Sequence, residues 1–287
     1  MAWMLLTLLY GVFKGIREVV KKKALSKSTV MEVLVFYTLI GFIMVIPQAG
    51  NAGGLNGKQY FLVFLKALAV FSAWICSFHA IKKMPISLYG VLDLSRVLFA
   101  TLLGVTVLNE TLKGLQTVGL VLVCIGLLML KYKPKSQRGD AGNTEEIPVI
   151  IIVCAFASCM LNAMSGLLDK LLMREINSSQ LQFWYMLFML LLYLIYCFIG
   201  RVPIRWKQSV KNYWIWLLSI LFVIADKALF IANAHPDSRV TVMTLIKQSG
   251  CVVTILAGKI IFKEKNVGYK LVCALVIIAG IMAGVLS

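Results

Sequence analysis

Charge is scarce in this chain: only 14% of its 287 residues are Asp, Glu, Lys or Arg, against roughly 25% in an ordinary soluble domain. Histidine is rarer still. His79 and His235 are the only two and no HExxH occurs, so a hydrolytic metal centre lacks its ligands. The seven cysteines (Cys76, Cys124, Cys154, Cys159, Cys197, Cys251, Cys273) lie inside apolar runs with no CxxC pair, which argues against both a disulfide framework and a metal site. They are expected as small apolar residues of helix packing. No GxxxxGK[ST] loop is present, so energy from bound ATP is not expected. A membrane enzyme would need a clustered nucleophile or metal set near an interface, and none is visible. No cofactor and no catalytic residues are expected.

What is abundant is apolar: 60% of the residues, with a mean hydropathy of +0.89. The apolar runs recur along the whole chain with short polar breaks, so no separate soluble domain fits. The net charge of +17, from 29 Lys and Arg against 12 Asp and Glu, would suggest nucleic acid in a soluble protein. Here the basic residues sit in short loops between apolar runs, where they orient a membrane protein. At the N-terminus an apolar stretch begins at once, without a basic n-region or small-residue cleavage site, and is expected as a retained first span.

A helix needs about twenty residues to cross about 30 Å of hydrocarbon. With that ruler ten spans fall near 3–20, 30–48, 59–81, 85–108, 112–131, 148–171, 180–200, 212–234, 239–262 and 267–286. Period-2 alternation is missing, so these are helices and not barrel strands. The longest polar stretch, YKPKSQRGDAGNTEE from Tyr132 to Glu146, reads as a linker.

Internal similarity divides the chain. A shift of 154 residues lays Val107-Leu108-Asn109-Glu110 on Ile261-Phe262-Lys263-Glu264 and matches Ser95 to Ser249, Gly104 to Gly258, Gly114 to Gly268 and Gly126 to Gly280. Nearer the start a shift of 148 brings Phe36-Tyr37 onto Trp184-Tyr185 and Lys14 onto Asn162. The expected fold is therefore an all-α membrane protein of ten transmembrane helices in two five-helix repeats, 1–131 and 148–287, with the linker at 132–147.

Loop charge gives the handedness. Lys21, Lys22, Lys23, Lys27, Lys82 and Lys83 follow spans one and three, whereas Arg201, Arg205, Lys207, Lys211, Lys263 and Lys265 follow spans seven and nine. With five spans per half the second copy is inverted, and all these loops face one side. The opposite loops hold few basic residues (Lys58, Lys113, Lys170, Arg174, Arg239). The rich side is expected in the cytoplasm and both termini outside, in a plasma (inner) membrane. Inverted repeats belong to transporters whose substrate site lies near the midplane.

In its GVTVLNETL (Gly104–Leu112) and GKIIFKEKN (Gly258–Asn266) segments, each a small-residue helix end running into Glu and followed by a Gly-bearing helix, the chain resembles the drug/metabolite transporter superfamily, in particular its EamA-type ten-helix members. The resemblance covers the whole chain. It implies a secondary transporter and leaves the substrate open. The usual Gly-Glu at the helix end is Asn109-Glu110 and Lys263-Glu264 here.

Charges within spans mark a cavity, because each costs about 2.5–3.5 kcal/mol at mid-bilayer. Span one aligns Tyr10, Lys14, Arg17 and Lys21 on one stripe. The shift of 148 lays that stripe on Ser158, Asn162, Ser165 and Asp169. Lys14 and Asn162 are expected in the cavity, whereas Arg17, Glu18, Lys21 and Asp169 are expected to snorkel to the interface. Span four carries Tyr89, Asp93 and Arg96 on one face, with Asp93 and Arg96 placed for an ion pair. Asp93 falls on Lys247 of span nine under the shift of 154, so the two are expected to meet across the repeats. Lys247 shares a stripe with Thr254. Span eight has adjacent Asp226 and Lys227, with Asn233 on the stripe of Asp226. Span three offers Trp74, expected chiefly in packing, and His79.

The substrate-binding set is thus Lys14, Asp93, Arg96, Asn162, Asp226, Lys227 and Lys247, with Tyr10, Trp74, His79, Tyr89, Asn233 and Thr254 as candidate walls. Four positive groups against two negative favour a small-molecule substrate bearing carboxylate or phosphate. Under the resemblance, Lys247 matches the phosphate-contacting lysine of sugar-phosphate and nucleotide-sugar branches, although Gln248 follows it where those branches carry a second basic group. The expected function is a secondary active transporter moving a small organic anion or zwitterion by alternating access. Coupling is to protons, with Asp93 and Asp226 the candidate proton-sensitive groups, or to a counter-substrate. The alternative is a proton-coupled exporter of cationic or apolar drugs. Partners are the lipid bilayer and, through Gly280-xxx-Gly284, either a neighbouring helix of the same chain or a homodimer; nucleic acid is not expected.

Overall fold

The computed structural model describes residues 2–109, 114–131, 147–264 and 267–285. Among them every regular element is helical. In chain order these are α1 (Ala2–Leu25), α2 (Val30–Val45) running into a 3-10 turn (Ile46–Asn51), α3 (Gly57–Lys83), α4 (Ile86–Leu92), a 3-10 turn at Asp93–Ser95, α5 (Arg96–Leu108) and α6 (Gly114–Lys131). The second part comprises α7 (Val149–Leu172), α8 (Ser178–Ile199), a short α9 (Trp206–Val210), α10 (Tyr213–Ala234), α11 (Val240–Lys247), α12 (Gly250–Ile260) and α13 (Val267–Val285). Glu110 and residues 132–146 of the linker lie outside the described set.

Among the described residues six segments are long and apolar enough to cross a bilayer: Val30–Asn51, Gly57–Lys83, Ile86–Leu108, Val149–Leu172, Ser178–Ile199 and Tyr213–Ala234. The other four expected spans coincide with α1, α6, α11–α12 and α13. In α1, 24 residues long, the cause is the charge on Lys14, Arg17, Glu18 and the lysines that follow. The shorter apolar stretches are Thr117–Gly126, Gly250–Ile260 and Gly268–Gly280.

Local signals recur at the two shifts. Thr29 caps α2 in a capping box with Glu32, and Asn177, 148 residues on, caps α8 in one with Gln180. In both, a side-chain oxygen takes an orphan N–H of the first turn while the third helical residue reaches back. The 3-10 turn at Asp93–Ser95 interrupts one span, and Gln248-Ser249 interrupts the other between α11 and α12. Each of those spans then ends in a left-handed residue, Asn109 at φ 53° and Lys263 at φ 50°. Glycine is favoured in that conformation, and any side chain there carries about 1 kcal/mol or more of strain.

Packing joins the two parts of the chain throughout: α1 lies on α10 and α12, α3 on α7 and α8, α5 on α7 and α11, α2 on α8 and α10, and α6 on α13. The main apolar core lies among α2, α3, α8 and α10, with Leu34, Phe78, Tyr185, Tyr193 and Phe222 buried. The outer faces of α7 and α8 instead expose Val149, Ile150, Phe198 and Ile199, surface suited to lipid. Loop contacts sort into two ends. At one, Arg205 binds Glu32, Asn212 donates to the Ala24 carbonyl, and Lys22 donates to the Met84 carbonyl. At the other, Gln180 and Trp184 donate to the carbonyls of Gly53 and Ala52.

Backbones come close where α1 crosses the start of α12. A Cβ on Gly250 would lie 2.5 Å from the Gly11 carbonyl oxygen and 2.9 Å from the Gly15 nitrogen. Small residues on both sides permit that contact, and it draws Lys14 up against the break.

Candidate substrate cavity

The breaks in the α4–α5 and α11–α12 spans face the middle of α1, and Lys14 occupies the space between them. Its ammonium pairs with Asp93 at the first break and donates to Oε1 of Gln248 at the second, 3.3 Å away. Asp93 also accepts from Arg96 at 2.7 Å. One carboxylate thus serves two cations; Lys14 and Asp93 are buried within the span and the Arg96 side chain is 14% exposed. Two donors beside this triad, Arg96 Nε and Gln248 Nε2, are buried with no hydrogen-bond partner, which is costly in a low-dielectric interior.

From the triad a narrow cavity of about 80 Å³ runs between α1, α3, α7, α8 and α10. Along it lie three further ion pairs. Arg17 approaches Asp226 at 3.4 Å and rests over the rings of Phe222 and Tyr10. Lys21 holds Glu18 at 2.8 Å above Phe78. Lys66 holds Asp169 at 2.7 Å and donates to Ser165 at 3.0 Å, over Tyr185. Trp74, packed on Tyr37 and Phe222 at 4.9 and 5.1 Å between ring centroids, forms an aromatic wall.

Lys247 stands apart. Its side chain lines the same cavity, and its ammonium sits 5.7 Å from the centroid of Tyr10. Among the described residues no carboxylate lies within ion-pair distance of it and no hydrogen bond reaches it. Counting Asp93, the cavity sets six cations (Lys14, Arg17, Lys21, Lys66, Arg96, Lys247) against four carboxylates (Glu18, Asp93, Asp169, Asp226).

An apolar helical chain carrying an interior lined with paired and unpaired charge is the architecture a membrane transport path requires, and the family comparison agrees. The model of the EamA-like transporter family matches residues 1–132 and 149–285. The chain belongs to that family. It is an integral, multi-pass membrane protein and a transporter of the drug/metabolite superfamily. Comparison with curated proteins gives no match. One solved structure, "Crystal structure of protein", superposes with a TM-score of 0.68 at 18% identity, covering 98% of both chains; at that identity the likeness concerns the fold alone.

In this EamA-like transporter the sequence-derived candidates separate into two groups. Tyr10, Lys14, Trp74, Tyr89, Arg96, Asn162, Asp226 and Lys247 line the cavity, and Asp93 anchors its floor. Four others lie elsewhere. Lys227 donates to Gln48 and Ser179 at 2.7 and 2.9 Å, near the ends of α2 and α8. His79 binds the Ile75 carbonyl of its own helix, and Asn233 donates to Leu229 while its own carbonyl accepts from Lys170. Thr254 packs against Gly90 behind the breaks, in a small pocket with Asp93 and Gly250.

Two expectations are corrected. Arg17, Glu18, Lys21 and Asp169 do not snorkel: they are buried on the cavity wall, because α1 and α7 turn that stripe inward against α10 and α3. Asp93 does not pair with Lys247, because Lys14 and Arg96 already occupy its two oxygens. Lys66 escaped notice altogether. Its signal was available, as a lone charge inside the apolar run of α3.

Proposed function

We propose that this transporter is a secondary active carrier of a small organic metabolite, an anion in preference to a zwitterion, moved by alternating access across the plasma membrane. The observation that carries the proposal is Lys247, a buried cation facing the cavity with no counter-charge. Burying an unpaired charge is expensive, and a bound anion would relieve it. Charge-assisted hydrogen bonds there would contribute about 1.5–3 kcal/mol. Two five-helix repeats of opposite orientation, ten spans in all, would place that lysine and the breaks at the midplane where the halves meet. The recurrence of caps, breaks and left-handed residues at the shifts of 148 and 154 supports that arrangement, as does the exchange symmetry of the packing, in which α3 on α7 matches α10 on α1.

Contacts across the halves suit the cycle. Glu264 accepts hydrogen bonds from the backbone N–H groups of Ile86 and Ser87, at 2.6 and 3.2 Å, and so caps α4. That contact and the Glu32–Arg205 pair close one end, while Gln180 and Trp184 hold the other. Release of one set while the other stays closed would admit cargo from one side. A cavity of about 80 Å³ is well below the roughly 300–1,000 Å³ of ligand pockets, so an end must open for cargo to enter. With no ATP site in the sequence, coupling falls to protons or exchange.

Five cavity cations already paired with carboxylates, beside an aromatic wall, favour a second reading, export of cationic or apolar drugs. Two measurements separate them. Untargeted comparison of metabolites inside and outside cells, with and without the protein, should reveal a displaced anion. Resistance to lipophilic cations with no change in any anion would refute the first reading and support the second.

A further inference from the structure

The cavity's charge surplus and the unpartnered donors at the helix breaks bear on which anions it takes. Six cations against four carboxylates leave two positive charges uncompensated, and the geometry locates them. One is Lys247. The other belongs to the triad, where Asp93 is shared by Lys14 and Arg96. Beside that second charge lie two buried N–H donors without acceptors, Arg96 Nε and Gln248 Nε2, and the hydroxyls of Ser95 and Ser249 at the breaks are likewise unpartnered. Gln248 follows Lys247 in sequence, so both excess charges and both open N–H donors gather at the two helix breaks.

We infer that the cargo crosses as a divalent anion, a dicarboxylate or a phosphate-type group, with one negative charge at Lys247 and the other beside Arg96 and Gln248. This rests on the transport reading above and narrows it. A monovalent anion would leave one cation bare in a low-dielectric site, and a zwitterion would leave both; only a dianion brings the interior to neutrality. The open N–H groups ask for acceptor oxygens, which carboxylate and phosphate supply and an apolar cargo does not. Lysine offers a point charge that can follow a moving oxygen, whereas Arg96, fixed by Asp93, offers a set direction.

The test is ligand-dependent thermal stabilisation of the purified transporter at constant ionic strength and pH 7.5, with succinate and inorganic phosphate as divalent probes, butyrate as the size-matched monovalent probe and alanine as the zwitterion. Succinate or phosphate should act at concentrations about tenfold to a hundredfold lower than butyrate or alanine. Lys247→Gln should remove most of that advantage, while Lys247→Arg should retain part of it. If Lys247→Gln fails to fold, the wild-type succinate-to-butyrate ratio decides alone. Equal action of butyrate and succinate would overturn the divalent inference and leave anion transport standing. Stabilisation by none of the anions would remove both.

Discussion

The two helix breaks, 154 residues apart, have similar backbones and opposite chemistry. At Asp93–Ser95 the acid is saturated: Lys14 and Arg96 take both its oxygens. At the second break Lys247 faces the cavity over the Tyr10 ring, and among the described residues no carboxylate lies within ion-pair distance of it. The same local geometry thus builds an internal clamp in one place and a reactive charge in the other. On the proposed reading, the recurrent backbone supplies the scaffold, and side-chain satisfaction decides which break holds the protein together and which holds cargo.

The sharpest way to break that comparison is to neutralise each side in turn. Asp93→Asn strands two largely buried cations and should destabilise the protein by about 3–5 kcal/mol, whereas Lys247→Met, which removes an unpaired charge, should leave stability unchanged or raise it. Thermal unfolding in detergent measures both, and equal losses would erase the distinction. Next in size is coupling. A double-mutant cycle between Lys14→Met and Asp93→Asn should show an interaction of about 0.5–3 kcal/mol, while the cycle between Lys247→Met and Asp93→Asn should be additive within about 0.5 kcal/mol. Coupling of similar size in both would mean that the lysines share the acid.

Smaller effects belong to the flanks of the breaks. Glu264→Gln weakens the cap on α4 and should cost about 0.5–2 kcal/mol, visible as a lower unfolding temperature. Least of all, Lys263→Gly relieves a left-handed residue and should add up to about 1 kcal/mol; a loss there would contradict the strain at φ 50°.

Much of the helical layout was legible because hydropathy and caps are local. The expected spans 59–81, 85–108 and 148–171 lie within a few residues of Gly57–Lys83, Ile86–Leu108 and Val149–Leu172. The stripe of Tyr10, Lys14 and Arg17 was legible too, since helical periodicity puts those residues on one face. Partners were not. Asp93 had several cations to choose from, and only the crossing of α1 over α12, set by Gly11, Gly15 and Gly250, brings Lys14 to it. Lys227 looked equivalent to Lys247 in sequence, yet one ends near Gln48 at a helix end and the other in the cavity. The face a residue takes on its helix is readable from sequence, but which neighbour fills each side chain's needs depends on packing between helices far apart in the chain.

The central claim, that Lys247 contacts an anionic cargo while Asp93 serves structure, is tested most directly by currents from proteoliposomes on a solid-supported membrane after a rapid succinate or phosphate jump. Wild type should give an anion-dependent current. Lys247→Met, folded and reconstituted to the same density, should give one about tenfold or more smaller at subsaturating anion, in line with the lost contact. A Lys247→Met current equal to that of wild type would contradict the account.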